Sequence, residues 1–413
     1  MRYTLLIPTY NRPGFLGSLL GYLAARRFGY PIRVLDSSSG DALSRNRQTV
    51  ERTGLDILHQ VYDPATPIFQ KMEQGALAVE STYCSFCADD DILLTDCLEP
   101  LLDVLDGDPS VVAAQGYSVN FNIGEYFDIS GVAYWTPSVA GDDGLKRIVE
   151  QMGNYQAFSY AVHRTGEMKF ALSQLPRVQS LLAKELLASS LTLVRGRVIR
   201  LPQFFMARNT NESIATAGWH PYHFLASDPA ELISEYAAYR AVVLEHMTAD
   251  ERCRSIYTRA QMERVLDLVH LKYLAPMMSG AVLDYVTAQS LEAGRQSPEI
   301  VQGIWNIFIR PGDRGLLAQL SRAFSEPSYA ARLAGYFGRL VSLNAALKFR
   351  ENLDASFGRR LGSMLVTHRT REGHPRRYHL FREFLNQDLG HGRRISASEI
   401  RAVIEQLDGY VQS

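Results

Sequence analysis

The first 120 residues alternate between short apolar runs and stretches with helical spacing. "YTLLIP" (Tyr3–Pro8), "IRVLD" (Ile32–Asp36), "LDILHQVY" (Leu55–Tyr62), "YCSFCA" (Tyr83–Ala88) and "VVAAQGYSVNF" (Val111–Phe121) read as strands. Between them, "GFLGSLLGYLAARR" (Gly14–Arg27) has the helical period, and the pattern predicts further helices over Asp41–Arg52, Ile68–Glu80 and Asp96–Leu105. Such alternation implies parallel βαβ units whose sheet is covered on both faces. Unbroken apolar runs, rather than strict alternation, fit strands buried on both sides.

From Gly124 to Asn209 the pattern is mixed. "YFDISGVAYWT", "QAFSYAVHRT" and "RVIRLPQFFMARN" read as strands, with a long helix over Val178–Val194. After Asp228 the spacing is almost wholly helical, and Ser396 with Glu399 three residues on gives the last helix a capping-box start. The polar loop "NTNESIATAGWHPYHFLASD" separates the two regimes. The expected fold class is therefore α/β, with a mainly parallel sheet over residues 1–225 and an all-α domain over 226–413, an acceptor platform or an oligomerisation surface. A homodimer through the helical half is one of the arrangements this permits.

The bulk numbers narrow the field modestly. The chain has 413 residues, 46% hydrophobic and 21% charged, which suits a globular protein with a substantial core. A formal net charge of −1 gives no general case for nucleic-acid binding or electrostatic membrane attachment. No uncharged apolar stretch reaches spanning length. Leu268–Val286, the longest candidate, carries His270, Lys272 and Asp284. The N-terminus lacks the features of a signal peptide, and a cytoplasmic location is expected. Cys84 and Cys87 have CxxC spacing, but no second such pair or nearby histidine pair completes a zinc set. Buried free thiols are the expected outcome.

Polar residues fall where the predicted strands end. Strand one ends in Pro8, Thr9, Tyr10 and Asn11; strand two in Asp36 with three serines; strand three in Asp63; strand four in Asp89, Asp90 and Asp91. Ligands of open α/β sheets bind beyond the carboxyl ends of the strands, so the convergence marks a site. In extended backbone, residues two apart share a face, which would aim Asp89 and Asp91 at one point and Asp90 elsewhere. Two carboxylates converging at a buried rim need a cation, or one must be protonated. Oxygen ligands suit Mg²⁺ or Mn²⁺, which keep positions open for phosphate oxygens. Tyr10 is a candidate for stacking on a nucleobase, and Asp36 for accepting hydrogen bonds from a base or ribose. Lys71 could reach a phosphate, although a solvated helix lysine fits equally well. His220 and His223, in the polar loop, are two candidates for one further metal ligand. The Arg- and His-rich stretch over Ala355–Phe384 suits an anionic acceptor, a membrane surface or an acidic partner.

These residues resemble the GT-A nucleotide-sugar glycosyltransferases, those of family 2 in particular. "LLIPTYNRPGFL" is similar to that family's first strand and turn, "VLDSSSGD" to its second-strand turn, and "YCSFCADDDILLTDCLEP" to the strand bearing its Asp-x-Asp metal motif. "LLAKELLASSLTLVRGRVIRLPQFFMAR" resembles the segment carrying its acidic base. The resemblance covers about half of the chain. It implies a Rossmann-like, nucleotide-sugar-binding domain and an inverting transfer to a hydroxyl acceptor. It also implies Mn²⁺ or Mg²⁺ as cofactor and a UDP-sugar as the favoured donor. Thr9 and Tyr10 would hold the nucleobase and Asp36 the base or ribose. Asp89, Asp90 and Asp91 would face metal and diphosphate, and Glu185 would be the base. Two rival readings stay open: a nucleotidyltransferase, although the loop after strand one lacks that class's Gly-rich, basic character, and a degenerate, non-catalytic nucleotide-sugar-binding module.

Overall fold

The computed structural model of the chain describes residues 1–123, 127–134, 136–153, 155–209 and 229–270, together with Tyr273 and the short pieces 368–369, 375–376, 399, 402–403 and 405–406. The elements that build the site come first in the chain. They are β1 (Tyr3–Thr9), α1 (Pro13–Ala25), β2 (Ile32–Asp36), α2 (Gly40–Thr53), β3 (Ile57–Val61), α3 (Ile68–Leu77), β4 (Tyr83–Phe86), β5 (Ile92–Leu93) and α4 (Leu98–Gly107). There follow β6 (Val111–Ile123), β7 (Phe127–Ala133), α5 (Gly144–Gly153), β8 (Val162–Arg164), α6 (Thr165–Ser173), α7 (Leu181–Arg195) and β9 (Arg197–Asn209). The described helices after the polar loop are α8 (Pro229–Ala249), α9 (Glu251–Ile256) and α10 (259–270).

The alternation of the first hundred residues folds as its periodicity predicts. β3, β2, β1 and β4 lie side by side and parallel. All seven residues of β1 are buried, as befits a strand covered on both faces. The second half of the sheet is mixed. β8 inserts between β4 and β6, antiparallel to both, and β6 runs parallel to β9 while β7 and β5 pair antiparallel with β6 and β9. Of "QAFSYAVHRT", read as a strand, only Val162–Arg164 joins the sheet. Two apolar clusters cover the faces of the sheet. One holds the α1 and α4 leucines; the other holds α3, α6 and α7.

Residues of α8, α9 and α10 belong to that second cluster, with Tyr239, Val243, Met247, Cys253 and Leu266 buried in it. The described helices after residue 228 thus share a core with the α/β part. Glu235 of α8 accepts hydrogen bonds from the backbone N–H groups of Gln179 and Ser180, at 2.8 and 2.7 Å. The Ser180 hydroxyl oxygen accepts from Ala183 N. These bonds satisfy donors that a helix start leaves open and place a carboxylate at the positive end of α7. They fix the helix that carries Glu185. All four cysteines are buried free thiols. No described helix is long and apolar enough to cross a membrane. Glu399 is helical, whereas Ser396 lies outside the described residues.

Register between β6 and β9 shifts around Gly116. A Cβ built there would sit 2.2 Å from the Gln203 carbonyl oxygen, so the close backbone approach requires glycine. Gly116→Ala is expected to destabilise the fold by about 1–3 kcal/mol, the usual range for overpacking. Chemical denaturation checks this: an unchanged midpoint would show that the β6–β9 contact yields more easily than its backbone suggests.

Candidate active site

The rim of β1 and β2 is stitched together before any side chain is presented. Asn11 has a left-handed φ of 53°. Its backbone N–H donates to Ser38 Oγ, and its side-chain oxygen accepts from Ser39 N. Lys71, 2% exposed, donates from Nζ to the Thr9 carbonyl and to Ser37 Oγ, both at 2.8 Å. Burial pushes its pKa down to about 8, against the opposing charges of Asp36 and Asp89. Lys71 therefore lies beneath the rim as an internal tie between two strand ends.

Asp36 is wholly buried. Its Oδ1 accepts from Ser38 N at 2.7 Å, and its Oδ2 from Asn46 Nδ2 and His59 Nε2, each at 2.9 Å. Burial pushes the carboxyl up, but the donors His59, Ser38 and Asn46 outweigh it and hold the group below the usual carboxylate range. Asn46 is the one fully buried residue of α2. Tyr10, by contrast, stands 52% exposed at the end of β1, an aromatic face open to a ligand. Asp63 closes its own turn through Ala65 N.

The three aspartates do not sit in extended backbone. Asp89 and Asp90 form a turn that Asp91 N closes onto the Ala88 carbonyl, so the two-residue alternation expected for the triplet does not apply. The turn pairs Asp89 with Asp90 instead. Arg12 Nη2 lies 2.5 Å from Asp89 Oδ1, and Arg12 Nη1 donates to Asp90 Oδ2 at 2.7 Å. The Thr9 hydroxyl donates to Asp89 Oδ2 at 2.6 Å, so Thr9, expected at the nucleobase, is a buried partner of the acidic turn. Asp91 is held from the end of β9: its Oδ1 accepts from Asn209 N at 2.8 Å. Burial pushes Asp91 up to about 7, partly offset by the charge of Arg208, and pushes Asp89 up to about 6 against the charge of Arg12.

This turn fits a hard divalent cation on two counts. Its donors are oxygen atoms, and Asp89 Oδ1 is buried without a well-directed hydrogen bond even though Arg12 is close. Among the described residues no three His, Cys, Asp or Glu side chains gather into a cage. Two carboxylates with water and ligand oxygens are the usual set for Mg²⁺. His220 and His223 lie outside the described residues.

Glu185 is not a solvated helix residue. Its Oε1 accepts from the Tyr155 hydroxyl at 2.8 Å, and it forms part of the wall of a small, mostly apolar cavity with Phe69, Phe86, Phe158 and Leu172. Burial pushes its carboxyl up, opposed by Tyr155 and by the charge of Arg208. Arg208, at the end of β9, donates to the Tyr134 hydroxyl at 2.5 Å, with its guanidinium 5.2 Å from that ring. Its charge acts on both Asp91 and Glu185. The sequence pattern singled out neither Arg12, Asn46, His59, Tyr155 nor Arg208. Arg12 alone carried a local signal, being the cation of the first rim loop.

No family model matches the chain, and no curated protein matches it. Among solved structures, Staphylococcus aureus TarS residues 1–349 in complex with UDP-GlcNAc is similar over 79% of this chain and 92% of that one, with 14% identity and a TM-score of 0.47. The same TarS fragment described without a ligand is similar at 12% identity and a TM-score of 0.44, over 79% of this chain and 91% of that one. Mannosyltransferase PcManGT from Pyrobaculum calidifontis, in complex with GDP-Man and Mn²⁺, is similar over 84% of this chain and 86% of that one, with 14% identity and a TM-score of 0.38. At such identity the likeness concerns the α/β fold alone.

Proposed function

We propose that the chain is a metal-dependent, inverting glycosyltransferase that moves a sugar from a nucleotide sugar, with a UDP-sugar as the favoured donor, to a hydroxyl acceptor. The observation that carries this reading is the shared rim. The exposed aromatic Tyr10 stands at the end of β1, next to Thr9, which bonds the acidic turn Asp89–Asp91. Arg12 pairs with Asp89 and Asp90, and the charge of Arg208 reaches Asp91 and the partly buried Glu185. Tyr10 stacks on the nucleobase, and the Asp36 network sets the floor beneath it. Asp89 and Asp91 would hold Mn²⁺ or Mg²⁺, which when bound neutralises charge on the departing diphosphate. Arg12, which pairs with Asp89 and Asp90, would be a second cation available to the diphosphate. Glu185 takes the proton from the acceptor hydroxyl at its oxygen Oε2, because Oε1 is held by Tyr155. Attack from the face opposite the leaving diphosphate inverts the anomeric centre.

Binding tests the donor reading without knowledge of the acceptor. UDP, UDP-GlcNAc, GDP and GDP-mannose are compared by thermal shift with and without Mn²⁺. One nucleoside diphosphate or its sugar is expected to raise the Tm only with the metal present, and Tyr10→Ala to weaken that binding about tenfold, the scale of one lost stacking contact. A panel in which no nucleotide binds overturns the reading.

A further inference from the structure

The groups around Glu185 form a directional chain. Tyr155 Oη donates to Glu185 Oε1 at 2.8 Å and stands 3.3 Å from Ser189 Oγ. Glu185 and Ser189 lie one turn apart on the same face of α7. A phenol that gives its only proton to the carboxylate can accept the serine's, so the bonds run from Ser189 to Tyr155 to Glu185. The Tyr155 ring is in turn held edge-on by Tyr273, at 5.1 Å between centroids and 70° between planes, and Tyr273 is itself buried. No hydrogen bond to Glu185 Oε2 exists among the described residues.

We propose that Tyr155 is a positioning residue: its hydroxyl pins one oxygen of Glu185 and leaves the other to face the acceptor, while the helical Tyr273 braces the phenol ring. This role rests on the reading of Glu185 as the base. A tyrosine held by packing and by Ser189 on one side has one productive direction for its proton, which selects the carboxylate rotamer. The hydrogen bond also stabilises the ionised carboxylate, the form a base requires. The other charged and titratable groups that act on Glu185 or line its cavity are Arg208 on β9, Tyr134 after β7, Tyr273, and His163 of β8. None of these is hydrogen-bonded to Glu185.

The test is the titration of Glu185 itself, which needs no substrate. Full-length protein carrying ¹³C-labelled glutamate carboxyls is titrated by NMR, and the Glu185 signal is assigned by its loss in Glu185→Gln. Tyr155→Phe keeps the ring and its contact with Tyr273 but removes the proton. It is expected to raise the midpoint of Glu185 by about one pH unit, the scale of a hydrogen bond to a charged group. Ser189→Ala is expected to move it the same way by less, and serves if Tyr155→Phe folds poorly. An unchanged midpoint in both variants, with Tm values at the wild-type level, overturns the proposal. The base reading fails separately: if Glu185→Gln turns over a nucleotide sugar at the wild-type rate, the base lies elsewhere whatever the titration shows.

Discussion

Glu185→Gln is expected to reduce glycosyl transfer about 10³-fold while donor binding stays within twofold of wild type. General-base assistance contributes roughly 10²–10⁴ in rate, and the amide removes it with almost no change in volume. The amide oxygen still accepts from Tyr155, so the wall of the cavity keeps its shape. Loss of rate without loss of donor affinity separates chemistry from binding. The check is turnover of the nucleotide sugar selected by thermal shift, together with its dissociation constant. If affinity falls as steeply as rate, Glu185 supports the donor pocket instead.

Asp91→Asn is expected to abolish metal-dependent turnover and, in the metal-free protein, to raise stability at neutral pH. The two effects have one cause. Burial raises the folded pKa of Asp91 to about 7, above its ordinary value of 3.8. The native state therefore binds more protons than the unfolded chain between those values, and unfolding free energy falls as pH rises through that window. Stability is greatest at its acid end and is lost towards pH 7. The amide removes this slope and still accepts from Asn209 N. The Tm of Asp91→Asn is thus expected to exceed that of the metal-free wild type by a few degrees at pH 7.5 and to match it near pH 4. The same protons compete with the metal, so Mn²⁺ affinity of the wild type is expected to rise from pH 5 to pH 7.5 and then level off. Calorimetry across that range measures both trends. A Tm lower in Asp91→Asn than in wild type at pH 7.5 would mean that the charge of Arg208 already outweighs burial at this carboxylate.

The acidic turn shows how far a local pattern reaches. Its place after β4, at the same edge as Tyr10 and Asp36, follows from the alternation of apolar runs and helices. The direction of each carboxylate does not. Arg12 meets Asp90 across 78 residues of sequence, Asn209 N meets Asp91 across 118, and Tyr155 meets Glu185 across 30. Asp36 shows the same limit in another way. The pattern marked it as a rim acceptor, but its oxygens are occupied from α2 and β3, elements whose own patterns gave no reason to single out Asn46 or His59.

Strand order divides in the same manner. Periodicity announced parallel βαβ units, whose connections are short and of one favoured hand, while the order β3-β2-β1-β4 was decided by how those units pack. The insertion of β8 between β4 and β6 was decided only in three dimensions, since a three-residue strand carries too little apolar signal to announce its neighbours. What the sequence determined by itself was the α/β class and the edge on which chemistry gathers, because both follow from the spacing of apolar residues along the chain. What only the tertiary structure decided was which charges meet and which carboxylate is desolvated. Burial and pairing depend on residues brought together by packing, and spacing along the chain does not encode them.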